Sequence, residues 1–407
     1  MGNTRHLLHT MVIAAFAAQV VAHATDWPQF RGPTGLGYTE ARDLPLTWNG
    51  TTGEGIVWRA ALPRSDNAWS SPIVMGNRVI VTCAQNDPLV HQVLCFDARD
   101  GHELWRTEVK PGSWKLTDLR GGYGAPTPCS DGKGVFVVFG SAVVAALDLE
   151  GRVSWRHDLE KYAFDVALGA SPILFGKTVI LDCDQTANTS SIIAFDAASG
   201  KISWEARRPD TGFTHCTPII VTVAGKPQMI VPASGALQGL DPNNGRLLWK
   251  CPTPGDAASP AFDGKVLYSD SGRGGQGVCV EITESAELEP RWTVPQISEG
   301  LSSPIITGGF VWRTHSPEIL KTFQVSDGTR VLSERLEGIS TYASPIVTAE
   351  GRIYFASAGK SYVLKVGEAL EKLAANDLGE DNRSSAAISN GKIFIRGDKT
   401  LYCIGKK

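Results

Sequence analysis

The chain has 407 residues, 42% of them hydrophobic and 20% charged, with 43 glycines and 23 prolines. That composition supports a large core built from short strands and turns, and it argues against long helices and against disorder. The formal net charge is −3 and no block of clustered Lys and Arg occurs, which disfavours nucleic acid as a partner because neutralising phosphates needs such a patch.

In chain order, residues 1–24 carry Arg5 and His6, an apolar run from Met11 to Val21, and then Ala22-His23-Ala24. A charged start, a short apolar run and a small-x-small site read as a secretory signal peptide, with Thr25 as the expected mature start. The run is too short to span a bilayer, and no later stretch is apolar enough. No cysteine stands at the cleavage junction, so the expected product is exported, periplasmic or extracellular, and not lipid-anchored. Residues 25–54 form an irregular lead-in with Trp27, Phe30 and Trp48 as aromatic anchors.

From residue 55 onward the chain repeats. Phe96-Asp97 is followed by Gly101 and Trp105, Phe195-Asp196 by Gly200 and Trp204, and Leu240-Asp241 by Gly245 and Trp249 at the same spacing. Leu147-Asp148 reaches Gly151 one residue early and then Trp155. Asp can hydrogen-bond its own backbone in a turn and Gly can take the positive φ that closes it, so each Trp falls on a returning strand. A second marker precedes each unit: Ser71-Pro72, Thr127-Pro128, Ser171-Pro172 and Thr217-Pro218, then Ser259-Pro260, Ser303-Pro304, Ser344-Pro345 and the degenerate Ser385-Ala386. Periods of about 40–50 residues are those of propeller blades.

Within a unit the pattern is four short strands, as in Pro172–Leu174, Thr178–Asp182, Ser191–Phe195 and Ile202–Arg207. The later units degrade. The fifth keeps Trp292, the sixth has Leu332 where Trp is expected, and the seventh ends in 367–376, read as a short helical turn. The last unit offers only Ser384–Ile388, Lys392–Arg396 and Thr400–Ile404, whereas Ile56–Ala60 is a strand without a blade. The expected fold is therefore all-β: an eight-bladed propeller of four-stranded antiparallel blades over residues 55–407, closed by that N-terminal strand, which leaves no open seam. A monomer is expected.

The Asp-x-x-x-Gly-x-x-x-Trp turns resemble the tryptophan docking motifs of pyrroloquinoline-quinone (PQQ) type propeller repeats, over nearly the whole mature chain. The lead-in Asp26-Trp27-Pro28-Gln29-Phe30-Arg31-Gly32-Pro33 is similar to that of exported bacterial propellers in the superfamily. The resemblance implies that Trp105, Trp155, Trp204 and Trp249 wedge between blades, with Trp292 and Trp58 at corresponding positions. It also implies two functional classes. The first is a non-catalytic scaffold, comparable in size to an outer-membrane assembly lipoprotein, that binds a protein, glycan or small ligand. The second is a PQQ- and calcium-dependent oxidoreductase acting on alcohols or sugars. The dehydrogenases of this superfamily carry a vicinal Cys-Cys pair, and no two cysteines are adjacent here. The scaffold reading is favoured, with no catalytic residue, cofactor or metal assigned.

Other motifs carry little. Gly272 to Gly277 spells GxGxxG but lies between strands, where a dinucleotide site needs a following helix, so a flexible hairpin loop is expected. His91, His102, His157, His215 and His315 have no metal-ligand spacing. The eight cysteines are scattered; Cys83 and Cys95 could bridge across strands if register sets them opposite, and buried free thiols are the other reading.

Residues just ahead of each marker converge by symmetry on one end of the channel. Reading the connections gives Asn67, Trp69, Tyr123, Asp165, His215, Asp256, Glu299, Tyr342 and Arg383. Of these, Trp69, Tyr123, His215, Asp256, Glu299, Tyr342 and Arg383 are the candidate binding residues, with Arg383 expected beside carboxylates, since convergent polar groups in a concavity make a site.

Overall fold

The computed structural model describes residues 26–66, 69–113, 122–160, 167–185, 189–255, 257–381 and 383–406. The segment read as a signal peptide, residues 1–24, lies outside them. None of the described residues is helical, so none forms a helix able to cross a membrane. The strands make eight sheets, arranged as the blades of an eight-bladed propeller.

Blade 1 runs through Ile73–Met75, Arg78–Asn86, Leu89–Asp97 and Glu103–Glu108, each strand antiparallel to the one before. Blade 4 fuses its middle strands into one 15-residue strand, Lys226–Leu240, which pairs first with Ile219–Val223 and then with Leu247–Pro254. In blade 8, Ile56–Ala61 pairs antiparallel with Thr400–Ile404, so the first propeller strand completes the last blade as expected. The segment read as a helical turn in the seventh unit is instead the strand Glu371–Asp377, paired with Lys360–Lys365. Likewise Gly274, Gly275 and Gly277 lie in the strand Arg273–Glu281, not in a hairpin loop. A side chain at Gly277 would collide with the Tyr268 hydroxyl across the pair.

The Asp turns work as their chemistry predicts. The Asp196 carboxylate accepts from the Ser199 amide at 2.8 Å, and the Gly200 amide, at φ +69°, donates to the Asp196 carbonyl at 2.8 Å. A register shift between Ala194 and Phe195 then turns the returning strand, so that Trp204 sits opposite Ala194. Each docking Trp lies over the turn glycine of the following blade. A Cβ on Gly101 would meet the Trp58 ring, one on Gly151 the Trp105 ring, and one on Gly200 the Trp155 ring. Gly245 and Gly328 stand in the same relation to Trp204 and Trp292. The indoles of Trp58, Trp105, Trp155 and Trp292 also donate to carbonyls of those turns, Ala98, Leu149, Ala197 and Val325.

Trp249 departs from this pattern. Blade 5 has no Asp-x-x-x-Gly turn, and the loop after Ile282 instead bridges Glu287 to Lys250. Trp249 folds over Gly239 of its own blade, and its indole donates to Gln228 at 2.7 Å. It still belongs to an apolar cluster that includes Phe262, Leu267 and Ile282 of blade 5.

The markers explain how the ring closes. The amide of Ser71 donates to the Thr127 hydroxyl, Thr127 to Ser171, Ser171 to Thr217 and Thr217 to Ser259, at 2.9–3.0 Å. Ser259 donates to Ser303, Ser303 to Ser344 and Ser344 to Ser385, at 2.8–3.2 Å. The Ser385 amide donates to the Ser71 hydroxyl at 3.0 Å and completes the circle. One bond between each pair of adjacent blades forms a girdle around the axis, and it needs a short β-hydroxyl at every marker.

Candidate functional site: the channel mouth

The lead-in closes one side of the channel. Trp27 exchanges backbone hydrogen bonds with Val74, and Tyr38–Thr39 adds a parallel strand to Ile346–Thr348 of blade 7. Between them, the buried Arg31 guanidinium donates to the carbonyls of Pro260 at 3.0 Å, Pro304 at 2.6 Å and Leu36 at 3.1 Å. Burial pulls the Arg31 pKa down to about 10, so it stays charged at neutral pH.

On the other side of the girdle lies a cavity of about 170 Å³, with Phe30 of the lead-in among its walls. Seven of the eight marker hydroxyl residues border it, together with one residue from every blade, and that residue stands at a constant place, two before the marker. These are Trp69, Ala125, Gly169 and His215 from blades 1 to 4, then Ala257, Leu301, Tyr342 and Arg383 from blades 5 to 8. Small side chains occupy three of the eight places. The Arg383 guanidinium carbon is 4.2 Å from the Trp69 ring centre and 4.1 Å from that of Tyr342, so the cation is held between aromatics of the two neighbouring blades. On the opposite blade, His215 packs over Gly169, where even a methyl group would collide with the ring, and its edge meets Phe213 at 4.3 Å.

Of the residues expected at the mouth, Trp69, His215, Tyr342 and Arg383 border this cavity. Tyr123 does not. It is buried in the core of blades 1 and 2 beside His91 and Phe139, because it precedes its marker by four residues and not two. Glu299 is exposed at the end of the outer strand of blade 5, opposite Arg273, and Leu301 takes the axial place. Asn67, Asp165 and Asp256 lie outside the described residues. Among the described residues Arg383 makes no ion pair with a carboxylate; aromatic faces stand where carboxylates were expected. A fixed offset of two residues before each marker picks out Ala125, Gly169, Ala257 and Leu301, whereas an offset that slides toward polar residues lands on Tyr123 and Glu299.

Residues 90–334 match the family of PQQ-like repeats described as outer membrane protein assembly factor BamB. The chain belongs to this family. Its fold is similar to BamB from Moraxella catarrhalis, at 14% identity and a TM-score of 0.61 over 86% of this chain and 99% of that one. It is also similar to a quinohemoprotein alcohol dehydrogenase from Pseudomonas putida HK5, at 11% identity and a TM-score of 0.65 over 93% and 80% of the two chains. A computationally designed protein, Ika8, is a further structural relative, at 12% identity and a TM-score of 0.57 over 86% and 99%. At these identities the likeness is one of fold. No curated protein sequence matches this chain significantly.

All eight cysteines are buried and outside any disulfide, and none borders the cavity. Cys83 and Cys95 are not opposite: Cys83 pairs with Gln92, and Cys95 with Ile80.

Proposed function

We propose that the protein is an extracytoplasmic, non-catalytic binding propeller that holds a ligand or partner at the channel mouth. The observation that carries this reading is the Trp69–Arg383–Tyr342 stack, set across a walled cavity from His215 on a ring that closes itself. A cation fixed between two aromatics is preorganised, so little entropy is lost when its N–H edge meets a partner. Family membership supports a scaffold and an exported location.

The oxidoreductase reading would place PQQ and calcium at this mouth, and the described residues do not fit them. The cavity of about 170 Å³ is smaller than the roughly 300–1,000 Å³ that ligands of such size occupy. Among the described lining residues there is no carboxylate to hold calcium, and the marker hydroxyl oxygens already accept amide hydrogen bonds.

The test compares the wild type with Arg383→Ala as immobilised bait for the extracytoplasmic fraction and for a glycan array. A partner or glycan retained by the wild type and lost with Arg383→Ala supports the mouth. Equal retention by both moves recognition to the blade edges. Dye-linked alcohol or sugar oxidation after reconstitution with PQQ and calcium would overturn the non-catalytic reading.

A further inference from the structure

The girdle has a chemical property that its structural role does not use. Every marker hydroxyl accepts one amide, and none of the eight donates its own proton to any described protein acceptor. A hydroxyl carries one donor as well as its lone pairs, and a buried donor without an acceptor costs free energy. These side chains are buried, with residue exposures between 2% and 6% for Ser71, Thr127, Ser171, Thr217, Ser259 and Ser385. Their remaining protons have only the cavity to point into.

The cavity therefore gathers donors from all around the axis. The Arg383 guanidinium borders the same cavity, its carbon 4.2 Å from the Trp69 ring centre and 4.1 Å from that of Tyr342. Aromatic rings take none of its N–H groups as carboxylates would, which leaves those donors for recognition. No carboxylate among the described residues borders the cavity to compete. A concavity with many donors, a fixed positive charge and no acidic wall selects negative charge.

We infer that the axial cavity is a binding site for a small oxyanion, a carboxylate or a tetrahedral anion such as phosphate, held by the marker hydroxyls and Arg383. This rests on the reading of the mouth as the recognition site and names the chemistry recognised there. Size limits the class. A cavity of about 150 Å³ accommodates benzene, so about 170 Å³ takes an anion of a few heavy atoms, or an acidic group reaching in from a larger partner.

The experiment uses the whole exported chain, exchanged into a chloride buffer and titrated calorimetrically with acetate, malonate, sulfate and phosphate at constant ionic strength, with glycerol and glucose as neutral controls. At least one anion saturates a single site per chain, and Arg383→Ala weakens it about tenfold or more. Ala257→Leu, which fills the cavity from the side facing Trp69 without touching the girdle or Arg383, abolishes it. Circular dichroism confirms that each variant is folded, and if Arg383→Ala does not fold, Ala257→Leu decides alone. Saturation by no anion overturns the inference, as does an affinity indifferent to both substitutions. A neutral solute that binds and is lost with Ala257→Leu would reject oxyanion chemistry while leaving the mouth as the site.

Discussion

Gly200→Ala isolates the docking of one blade on the next. Gly200 sits at φ +69°, where an L-residue costs about 1–2 kcal/mol, and its new Cβ would stand 2.6 Å from the Trp155 ring. The ring must move, which disturbs the 2.9 Å bond from its indole to the Ala197 carbonyl, a contribution of about 0.5–1.5 kcal/mol, and some of the packing around it. The expected loss is about 2–4 kcal/mol. Gly176 supplies the control: its φ is +59°, but nothing lies within 4 Å of an added methyl, so Gly176→Ala should cost only the backbone share of about 1–2 kcal/mol. Both substitutions stiffen the unfolded chain alike, so that effect cancels in the comparison. In a Trp155→Ala background the clash disappears, and Gly200→Ala should fall to the control value, a coupling of about 1–2 kcal/mol. Urea denaturation of the wild type, the three single variants and the double variant, followed by circular dichroism, reads both the control and the cycle. Equal costs for Gly200→Ala and Gly176→Ala, or a coupling of zero, would refute the docking account.

Two buried groups give opposing pH dependences. Burial raises the Asp184 pKa to about 6 against the pull of Arg208, so the folded state binds this proton more tightly, and the stability it contributes is full below about pH 4 and lost as pH rises through about 6. Burial lowers His91, stacked 4.2 Å from Phe139, to about 3, so its contribution is present above about pH 6.5 and lost on acidification. Asp184→Asn should flatten the first slope and His91→Gln the second, checked by denaturation midpoints across that range; unchanged slopes would remove these groups from the account. Burial pushes the thiols of Cys95, Cys279 and Cys403 up to about 12, so the native chain should be inert to a thiol reagent that titrates all eight cysteines in denaturant. Arg31→Met keeps the stem but removes three carbonyl partners, and should destabilise by about 2–4 kcal/mol while exposing the lead-in to proteinase K; wild-type resistance would show that the bonds do not hold the plug.

The fold is legible in the sequence because its devices are local and repeated. Asp196 and Gly200 specify a turn from five adjacent residues, and Ile56–Ala61 announces itself as a strand in excess of its blade. Trp249 misleads because its docking partner is a feature of the next unit, and blade 5 lacks the glycine turn on which the position depends. The mouth is half legible. Trp69, His215, Tyr342 and Arg383 stand two residues before their markers, but Tyr123 and Glu299 come from loops whose lengths differ, and polarity alone does not bring a side chain to the axis. The hydroxyl girdle is invisible in sequence, because a Ser or Thr before Pro reads as a strand start and nothing local reveals that its oxygen serves a residue 41 to 56 positions away, or 314 at the seam.

That girdle also separates what the repeat must keep from what it is free to change. Eight positions carry a β-hydroxyl because each closes a blade onto its neighbour, and replacing one strands a buried amide. Two residues earlier, the same symmetry delivers side chains to the axis without asking anything of them, and there the copies diverge into Trp, Ala, Gly, His, Ala, Leu, Tyr and Arg. The asymmetry is spatially ordered: Arg383 and its two aromatics occupy blades 7, 8 and 1, and the opposing arc holds Gly169, His215 and Ala257. Packing needs alone would favour eight similar residues around an eightfold axis. Instead a cation between two aromatics faces an arc in which Gly169 and Ala257 flank His215, so the two small residues leave open space beside the imidazole.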